Sequence, residues 1–328
     1  MSVLAVKDLW VTYRTQLSEI PAVRGVSFDI PKGQVLGLAG ESGCGKSTIA
    51  GAILRLLPAR TKIEGSIELE GEDVLGMKPG RLRAVRWTGA SIVFQGAMHG
   101  LNPVKRIGDQ IAEAIVVHQQ AGEKQALVRV GALLEQVGLP TRRMRDYPHE
   151  LSGGQKQRVM IAMALACSPS LVIADEPTTA LDVMVQAQVL RLMKELQSEL
   201  GLSMIFITHD LSVLVETSDR LAIMYAGKIV EEGPADMVFH SPQHPYTEAL
   251  AAAFPEIGDD RFRRKPMGLG GDPPDPADLP SGCSFHPRCP KAFDDCSTVE
   301  PELYPAGERR RAACLLVPAA KERAGAHA

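Results

Sequence analysis

The amino-acid sequence predicts an α/β fold with a largely parallel central sheet. Strand-like and helix-like segments alternate from the N-terminus to about Glu256. This alternation is typical of chains that pack helices against a mostly parallel sheet. The composition changes after Phe254, which predicts that a different kind of segment follows the α/β domain.

The first elements are predicted from apolar spacing. Residues 35–39 form an apolar run and therefore a strand. Residues 47–57 carry apolar side chains at helical spacing, and Pro58 is expected to end that helix. Ile67 and Leu69 alternate with glutamates, which indicates a half-exposed strand.

The same patterns predict the later elements. Buried strands are expected at residues 92–94 and 204–207, and helices at residues 125–137 and 155–167. Because the segment between two of these strands is mostly helical, residues 96–165 are predicted to be a helical insertion. The α/β domain as a whole is predicted to span residues 1–255.

The end of the chain divides into three predicted segments. Residues 256–280 are rich in proline and glycine and are expected to be a linker. Residues 281–317 are predicted to form a small cysteine-bearing module, and residues 318–328 a frayed tail. Because the linker precedes the module, a site in the α/β domain is expected to survive the loss of any metal centre that the module holds.

Composition excludes several classes of protein. The chain has 328 residues, of which 45% are hydrophobic, and a net charge of −3, which gives no reason to expect a nucleic-acid partner. It contains no apolar run of about 18 residues, so no membrane-spanning helix is expected. The N-terminus lacks the pattern of a secretory signal. We therefore expect an intracellular protein whose six cysteines are reduced.

A glycine-rich loop predicts phosphate binding. The motif G-E-S-G-C-G-K-S-T comprises Gly40, Glu41, Ser42, Gly43, Cys44, Gly45, Lys46, Ser47 and Thr48. Its glycines let backbone N–H groups surround phosphate oxygens, and it opens a helix whose N-terminus attracts anions. Lys46 would bind the β- and γ-phosphates, and Ser47 would give its hydroxyl to Mg²⁺. The loop therefore predicts a nucleoside triphosphate site.

Two further strand ends carry polar residues. Asp175 ends the apolar run L-V-I-A-D, where a carboxylate can hold Mg²⁺ through water, and Glu176 follows it. His209 follows a predicted buried strand, at the edge of the sheet where α/β folds bind ligands. Tyr13 is predicted to stack on the base of the nucleotide, with Trp10 as the alternative.

The stretch L-S-G-G-Q-K-Q-R between these motifs narrows the prediction. Together with the phosphate loop and the acidic strand, it resembles the ATP-binding subunits of ATP-binding cassette (ABC) transporters. The resemblance implies a P-loop ABC-type nucleotide-binding domain with ATP and Mg²⁺ as ligands. It also implies that Glu176 polarises the attacking water, that His209 contacts the γ-phosphate, and that Gln95 senses Mg²⁺ and the water.

The resemblance also implies a dimer. Ser152, Gly153, Gly154 and Gln155 begin a helix, and in this family that helix end closes over ATP bound to a second cassette. Asp182 resembles an aspartate at the same seam. Because the chain has one set of motifs, a second ATPase subunit is expected, either a paralogue or another copy.

The C-terminal part resembles one branch of the family. H-P-Y-T-E-A-L at residues 244–250 and G-C-S-F-H-P-R-C at residues 282–289 are similar to dipeptide and oligopeptide importers, which include nickel and glutathione relatives. The resemblance covers residues 3–317 and includes Leu101-Asn102-Pro103. Gly96-Ala97 departs from it, since many relatives have an acidic residue and proline there.

Four cysteines predict a metal centre. They are separated by five, six and seventeen residues, without the close pairs of zinc ribbons, and this favours an iron–sulfur cluster over zinc or no metal. Zinc, if bound, could also use His286. Relatives in the peptide-importer branch carry a [4Fe–4S] cluster in this segment. The predicted ligands are Cys283, Cys289, Cys296 and Cys314.

These resemblances predict an ATPase that drives solute import. Its expected partners are two transmembrane permease subunits and an extracytoplasmic solute-binding protein, and its expected location is the cytoplasmic face of the membrane. Peptides are the predicted solute, with nickel, glutathione or oligosaccharide as alternatives. An exporter ATPase and an ATPase acting on ribosomes or DNA are the competing functions.

Overall fold

The structure, a computed structural model, describes residues 2–15, 18–94, 100–119, 122–179, 181–253 and 269–320. The strands are β1 (Ser2–Arg14), β2 (Glu19–Pro31), β3 (Val35–Ala39), β4 (Lys62–Leu69), β5 (Glu72–Asp73), β6 (Ala90–Val93), β7 (Leu171–Asp175), β8 (Ser203–Ile207), β9 (Arg220–Tyr225), β10 (Lys228–Pro234), β11 (Tyr304–Pro305) and β12 (Arg311–Ala312). The helices are α1 (Lys46–Ile53), α2 (Pro79–Thr88), α3 (Ile107–Gln119), α4 (Glu123–Gln136), α5 (Gly153–Ala164), α6 (Val183–Leu200), α7 (Leu211–Thr217), α8 (Ala235–His240) and α9 (Pro245–Ala253).

The chain divides into two compact units. The first comprises Met1–Ala5, Asp29–Gln34 and Glu68–Ile207, and the second comprises Val6–Phe28, Val35–Ile67 and Thr208–Ala328. The acidic strand end and the L-S-G-G-Q helix belong to the first unit. The phosphate loop and the cysteine-bearing segment both belong to the second.

The first unit contains the parallel strands β6, β7 and β8. They lie in the order β8-β7-β6, and β7 pairs with β8 from Leu171 opposite Ser203 to Asp175 opposite Ile207. Both β7 and β8 are buried along their whole length. Because the two strands are parallel and in register, their carboxyl ends meet at one edge of the sheet.

The second unit contains the order β11-β12-β10-β9-β3. Strand β3 is parallel to β9, while β10 is antiparallel to β9, with a bulge between Ile229 and Glu231. The C-terminal strand β12 pairs with β10, placing Ala312 opposite Glu231. The cysteine-bearing segment therefore adds strands to the sheet of this unit. The second unit also contains most of β1, β2 and β4, which lie in the order β2-β1-β4.

Several predicted elements are confirmed, and some boundaries are wrong: the helix predicted at residues 155–167 is Gly153–Ala164, and the strand predicted at residues 92–94 is Ala90–Val93. The strands predicted at residues 35–39 and 204–207 and the helix at residues 125–137 correspond to β3, β8 and α4. The helix predicted to reach residue 57 ends at Ile53, because Arg55 has a left-handed φ of 48° that no helix continues through. Pro58 is therefore not the residue that stops it.

The predicted insertion and tail have the following structure. The described residues between 100 and 164 form helices and turns, including α3, α4 and α5. At the other end, Ala320 packs with Ala312, Cys314 and Val317 in a small buried cluster. The start of the predicted tail is thus packed, and residues 321–328 lie outside the described residues, as does the linker up to residue 268.

The described part of the chain contains no helix with both the length and the apolar character needed to cross a membrane.

Candidate functional site

The predicted phosphate loop has a backbone that its glycines make possible. Gly40 and Gly45 have φ of 151° and 107°, where side chains are rarely accommodated. A Cβ atom at either position would lie 2.3 Å from a backbone oxygen, that of Met224 or that of Ala22 respectively. Glycine therefore allows the close packing that shapes this loop.

Lys46 is the first residue of α1 and is 5% exposed. Its Nζ donates to the carbonyl oxygens of Gly40 at 2.7 Å and Glu41 at 2.9 Å. Ser47 and Thr48 follow in the first turn of the helix, where backbone N–H groups have no acceptor within the helix. The ammonium and the helix end together form a place suited to phosphate oxygens.

The other loop residues divide by exposure. Ser42 and Gly43 are exposed, whereas Cys44 is buried. Burial raises the pKa of the Cys44 thiol, although Lys46 opposes this with its Nζ 3.6 Å from the sulfur. The Cys44 side chain therefore packs as a neutral group.

Tyr13 contacts the loop and Trp10 does not share this contact. The Tyr13 hydroxyl lies 3.1 Å from Oγ1 of Thr48. Trp10 instead donates from Nε1 to Asp8 at 2.9 Å. Tyr13 is therefore the better placed of the two aromatic residues to lie beside a nucleotide in the loop.

The acidic strand end lies in the first unit. Asp175 is the last residue of β7 and is buried. Glu176 has a left-handed φ of 46°, and its N–H donates to the carbonyl oxygen of Ile207 at 2.9 Å. The Thr179 hydroxyl donates to its carboxylate at 2.9 Å. An unfavourable φ at a non-glycine residue is typical of functional sites, and here the carboxylate has a defined position.

The L-S-G-G-Q stretch forms a capped helix N-terminus. Ser152 is exposed and is the N-cap of α5, where its N–H donates to the Gln155 side chain at 3.0 Å. The Gln155 N–H in turn lies 3.4 Å from the Ser152 hydroxyl. This reciprocal capping leaves the other N–H groups of the first turn pointing outward.

A second helix N-terminus lies against the first. Asp182 is the N-cap of α6 and accepts from the Val185 N–H at 3.0 Å. A Cβ atom at Gly154 would lie 2.5 Å from Val185, so the two helix starts pack closely. The adjoining Val183 and Met184 are 74% and 73% exposed, an apolar surface beside both helix ends.

The remaining predicted residues are placed as follows. His209 is exposed and follows β8, and Asp210 next to it caps α7 by accepting from Ser212 N at 3.0 Å. Gln95 lies outside the described residues, as do Gly96 and Ala97.

A buried ion pair in the second unit was missed by sequence reasoning. Glu231 accepts from the N–H groups of Gln243 and His244, each at 2.9 Å, and from Arg310 at 3.1 Å. Burial lowers the pKa of His244 to about 4, so its imidazole is neutral and its Nδ1 accepts from Tyr246 N at 3.0 Å. The H-P-Y segment is thus attached to the sheet by buried polar contacts.

The four predicted cluster ligands line one cavity, together with His244, Phe285, His286 and Lys291; they are Cys283, Cys289, Cys296 and Cys314. Burial raises the pKa of Cys283 and Cys289 and raises that of Cys314 to about 11. Such thiols need a bound cation to become thiolates at neutral pH.

Among the described residues, no group of three or more His, Cys, Asp or Glu side chains is placed to hold a metal ion. The structure therefore shows a cavity shared by the four cysteines and does not confirm the predicted metal centre.

Two further side chains contact the phosphate loop and belong to no predicted motif of the nucleotide site. Tyr246 accepts a hydrogen bond from the Glu41 N–H, and Arg288 forms an ion pair with the Glu41 carboxylate. The sequence marks both within H-P-Y and H-P-R-C but gives no sign of their spatial partner. Although a linker separates them in sequence, the cysteine-bearing segment and the phosphate loop are therefore in direct contact.

Comparisons with known families agree with this geometry. Residues 23–179 match the family described as ABC transporter. Residues 230–296 match the oligopeptide/dipeptide transporter C-terminal region.

Curated relatives extend over most of the chain. A putative peptide import ATP-binding protein of Brucella ovis is 44% identical over 95% of this chain and 96% of its own length. The dipeptide transport protein DppD of Bacillus subtilis is 43% identical, over 91% and 90%. The oligopeptide transport protein OppD of Mycobacterium tuberculosis is 45% identical over 95% of this chain. The chain spans about half, 51%, of the length of that protein and of its Mycobacterium bovis counterpart.

Solved structures share the fold. The dimeric bacterial ABC transporter cassette MJ0796 is 28% identical and covers 71% of this chain and 98% of its own, with a TM-score of 0.63. The cassette cbiO1 of Clostridium perfringens is 29% identical, covers 73% and 91%, and has a TM-score of 0.63.

Proposed function

This chain belongs to the ABC transporter family, in its group of peptide-import ATP-binding proteins, and on that premise we propose that it hydrolyses ATP to drive import of di- or oligopeptides. One observation carries the proposal. A single chain holds a glycine-shaped phosphate loop and a second helix N-terminus, at Ser152, with the sequence that this family uses on its partner's ATP. Nucleotide-binding proteins of other classes use the phosphate loop without a second helix N-terminus of this sequence.

We propose the following roles for the residues of the nucleotide site. Lys46 binds the β- and γ-phosphates. Its ammonium group then donates to phosphate oxygens in place of the carbonyl oxygens of Gly40 and Glu41. Ser47, Asp175 and Gln95 would hold Mg²⁺, which would neutralise part of the charge of the phosphates. Tyr13 stacks on adenine, beside Thr48.

Glu176 is the proposed base for the attacking water. Its backbone is fixed by the bond to Ile207, and its carboxylate by the bond from Thr179. A carboxylate held in this way can accept a proton from water in a repeatable position. His209, just after β8, is proposed to contact the γ-phosphate.

We propose that the α5 N-terminus binds ATP held by a second cassette. Ser152 is exposed, and Asp182 and the apolar side chains of Val183 and Met184 adjoin it. A surface of this kind suits burial against a partner, because exposed apolar side chains lose contact with water there. The MJ0796 cassette was solved as a dimer, in one case with ADP and Pi. The partner here is a paralogue or a second copy.

We propose a [4Fe–4S] cluster on Cys283, Cys289, Cys296 and Cys314. Their shared cavity supports it, and a single zinc ion and no metal at all are the alternatives. The cluster would supply four irons that each bind one thiolate and so join segments up to 31 residues apart in a region with a small apolar core.

The partners and location follow from the function. An ATPase subunit that drives import needs two transmembrane permeases and an extracytoplasmic solute-binding protein, and it lies on the cytoplasmic face of the membrane. The solute is selected by those partners. The curated relatives named above are peptide, dipeptide and oligopeptide transport proteins, which supports peptides over nickel, glutathione or oligosaccharide.

Two substitutions test the ATPase. Lys46→Ala should abolish binding of ATP, because the phosphates lose their cation. Glu176→Gln should retain ATP, lose hydrolysis by about 10²- to 10⁴-fold, and accumulate a closed dimer in size-exclusion chromatography with ATP and Mg²⁺. Matched controls are Lys124→Ala and Glu199→Gln, which change exposed residues of α4 and α6 and should leave both properties unaltered.

Wild-type hydrolysis by Glu176→Gln would show that another group is the base. Affinity purification from membranes tests the partners. Recovery of permeases supports the importer, whereas recovery of ribosomes or DNA would support the soluble class.

A further inference from the structure

Arg288 joins the cysteine-bearing segment to the phosphate loop. Its guanidinium donates to both carboxylate oxygens of Glu41, at 2.7 Å from Nη1 and 2.9 Å from Nη2. Nε donates to the carbonyl oxygen of Gly270 at 2.9 Å, and Nη1 also lies 3.3 Å from the Tyr225 hydroxyl. The Arg288 side chain is 8% exposed, so this two-point ion pair is largely shielded from water.

Glu41 is held by its backbone as well. Its N–H donates to the hydroxyl of Tyr246 at 2.8 Å, and its carbonyl oxygen accepts from Lys46 Nζ at 2.9 Å. Lys46 is the cation that we propose to bind phosphate. A displacement of Glu41 would therefore move a group that directly contacts the phosphate-binding lysine.

An aromatic cluster supports these contacts. The ring centroids of Tyr225 and Tyr246 are 4.6 Å apart, and Phe285 lies 5.2 Å from the first and 5.4 Å from the second. All three side chains are buried, and Phe285 precedes Arg288 by three residues. Because packed rings tolerate few orientations, the cluster fixes Arg288 relative to the loop.

We propose that Arg288 is a positioning residue of the nucleotide site, through which the C-terminal module holds the phosphate loop in its binding form. The inference rests on the proposed binding of nucleotide at this loop. Arg288 acts in two ways on Glu41, since it fixes the carboxylate and neutralises it. An unpaired carboxylate in the loop would repel phosphates, and lysine cannot reproduce the two-point geometry.

The test measures the affinity of the purified full chain for a fluorescent ATP analogue with Mg²⁺. Arg288→Gln should weaken binding about tenfold, which corresponds to about 1.4 kcal/mol. Arg288→Lys keeps the charge and should lose less. Glu41→Gln/Arg288→Gln should recover most of the affinity, because the repelling charge is gone.

Arg311→Gln is the matched control. Arg311 lies in the same module and pairs with Glu232, on β10 and away from the loop motif. The Arg311→Gln variant should bind nucleotide like the wild type. Thermal unfolding of each variant without nucleotide is measured alongside, to show that the variant is folded. If Arg288→Gln does not fold, Arg288→Lys carries the test, because lysine cannot span both carboxylate oxygens and should weaken binding about threefold; an unchanged affinity of that variant would then overturn the proposal.

The outcomes separate the two proposals. A wild-type chain without affinity for the analogue would overturn both. Binding by the wild type with Arg288→Gln within twofold of it would overturn this inference alone. A double variant as weak as Arg288→Gln would also overturn it, because the loss would then come from a damaged module and not from Glu41.

Discussion

Replacing Arg310 by methionine should destabilise the second unit strongly, because Glu231 would keep its charge in a buried place. The two side chains are 4% and 1% exposed. Removing one partner of a buried pair leaves the other charge without a counterion, which typically costs about 3–5 kcal/mol. This pair attaches the C-terminal segment to β10, so its loss should lower the free energy of unfolding of the whole second unit.

The expected value is near the lower end, about 3 kcal/mol. Glu231 keeps two backbone donors, the N–H groups of Gln243 and His244. Among the described residues, Nε of Arg310 has no acceptor, so the substitution also removes one unsatisfied buried donor. Methionine fills much of the volume that the arginine stem leaves.

Urea unfolding followed by circular dichroism and tryptophan fluorescence gives the measurement, provided that both probes report one transition. Arg311→Met is the matched control: its side chain is 48% exposed, and its ion pair should be worth less than about 1 kcal/mol. Glu231→Gln/Arg310→Met should recover most of the lost stability. A loss below about 1 kcal/mol, or a double variant as unstable as Arg310→Met, would refute the reasoning.

Three further predictions concern the proposed function. Ser152→Arg should leave ATP binding by the monomer nearly unchanged but prevent formation of the dimer on size-exclusion chromatography. If the monomer loses ATP binding as well, the L-S-G-G-Q stretch contacts the ATP of its own chain. Tyr13→Ala should weaken ATP binding about three- to tenfold, measured by fluorescence titration, whereas Trp10→Ala should not, and the reverse order would exchange their roles. Anaerobically purified protein should be brown with roughly four irons per chain, and Cys44→Ser and Cys167→Ser should keep the colour. Substitution by serine should remove most of the colour at each of the proposed ligands Cys283, Cys289, Cys296 and Cys314. A colourless protein with one zinc per chain would refute the cluster.

Local features of the site could be predicted from the sequence because neighbouring residues determine them. Gly40 and Gly45 adopt the left-handed backbone that the loop motif requires. A helix begins at Gly153 as predicted, and the structure adds that Ser152 and Gln155 cap it reciprocally. The same reasoning failed at the end of α1, where Arg55 turns the chain before the proline that seemed to stop it.

Contacts between distant segments could not be predicted in this way. The Arg288 and Glu41 side chains are 247 residues apart, and the composition of the linker suggested that it separates them. Which arginine reaches which carboxylate depends on strand pairing and burial, and these are properties of the assembled chain. The shared cavity of the four cysteines likewise depends on how the segment from Cys283 to Cys314 turns back on itself.

The sequence by itself determined the chemistry of this protein: a phosphate loop, an acidic strand end and the L-S-G-G-Q helix, each defined by a few adjacent residues. The tertiary structure decided how the phosphate loop is held. Strand β12 pairs with β10, an aromatic cluster forms around Phe285, and Arg288 is thereby brought to Glu41. The physical reason is that a motif depends on local backbone geometry, whereas an ion pair across the chain depends on the packing that excludes water from it.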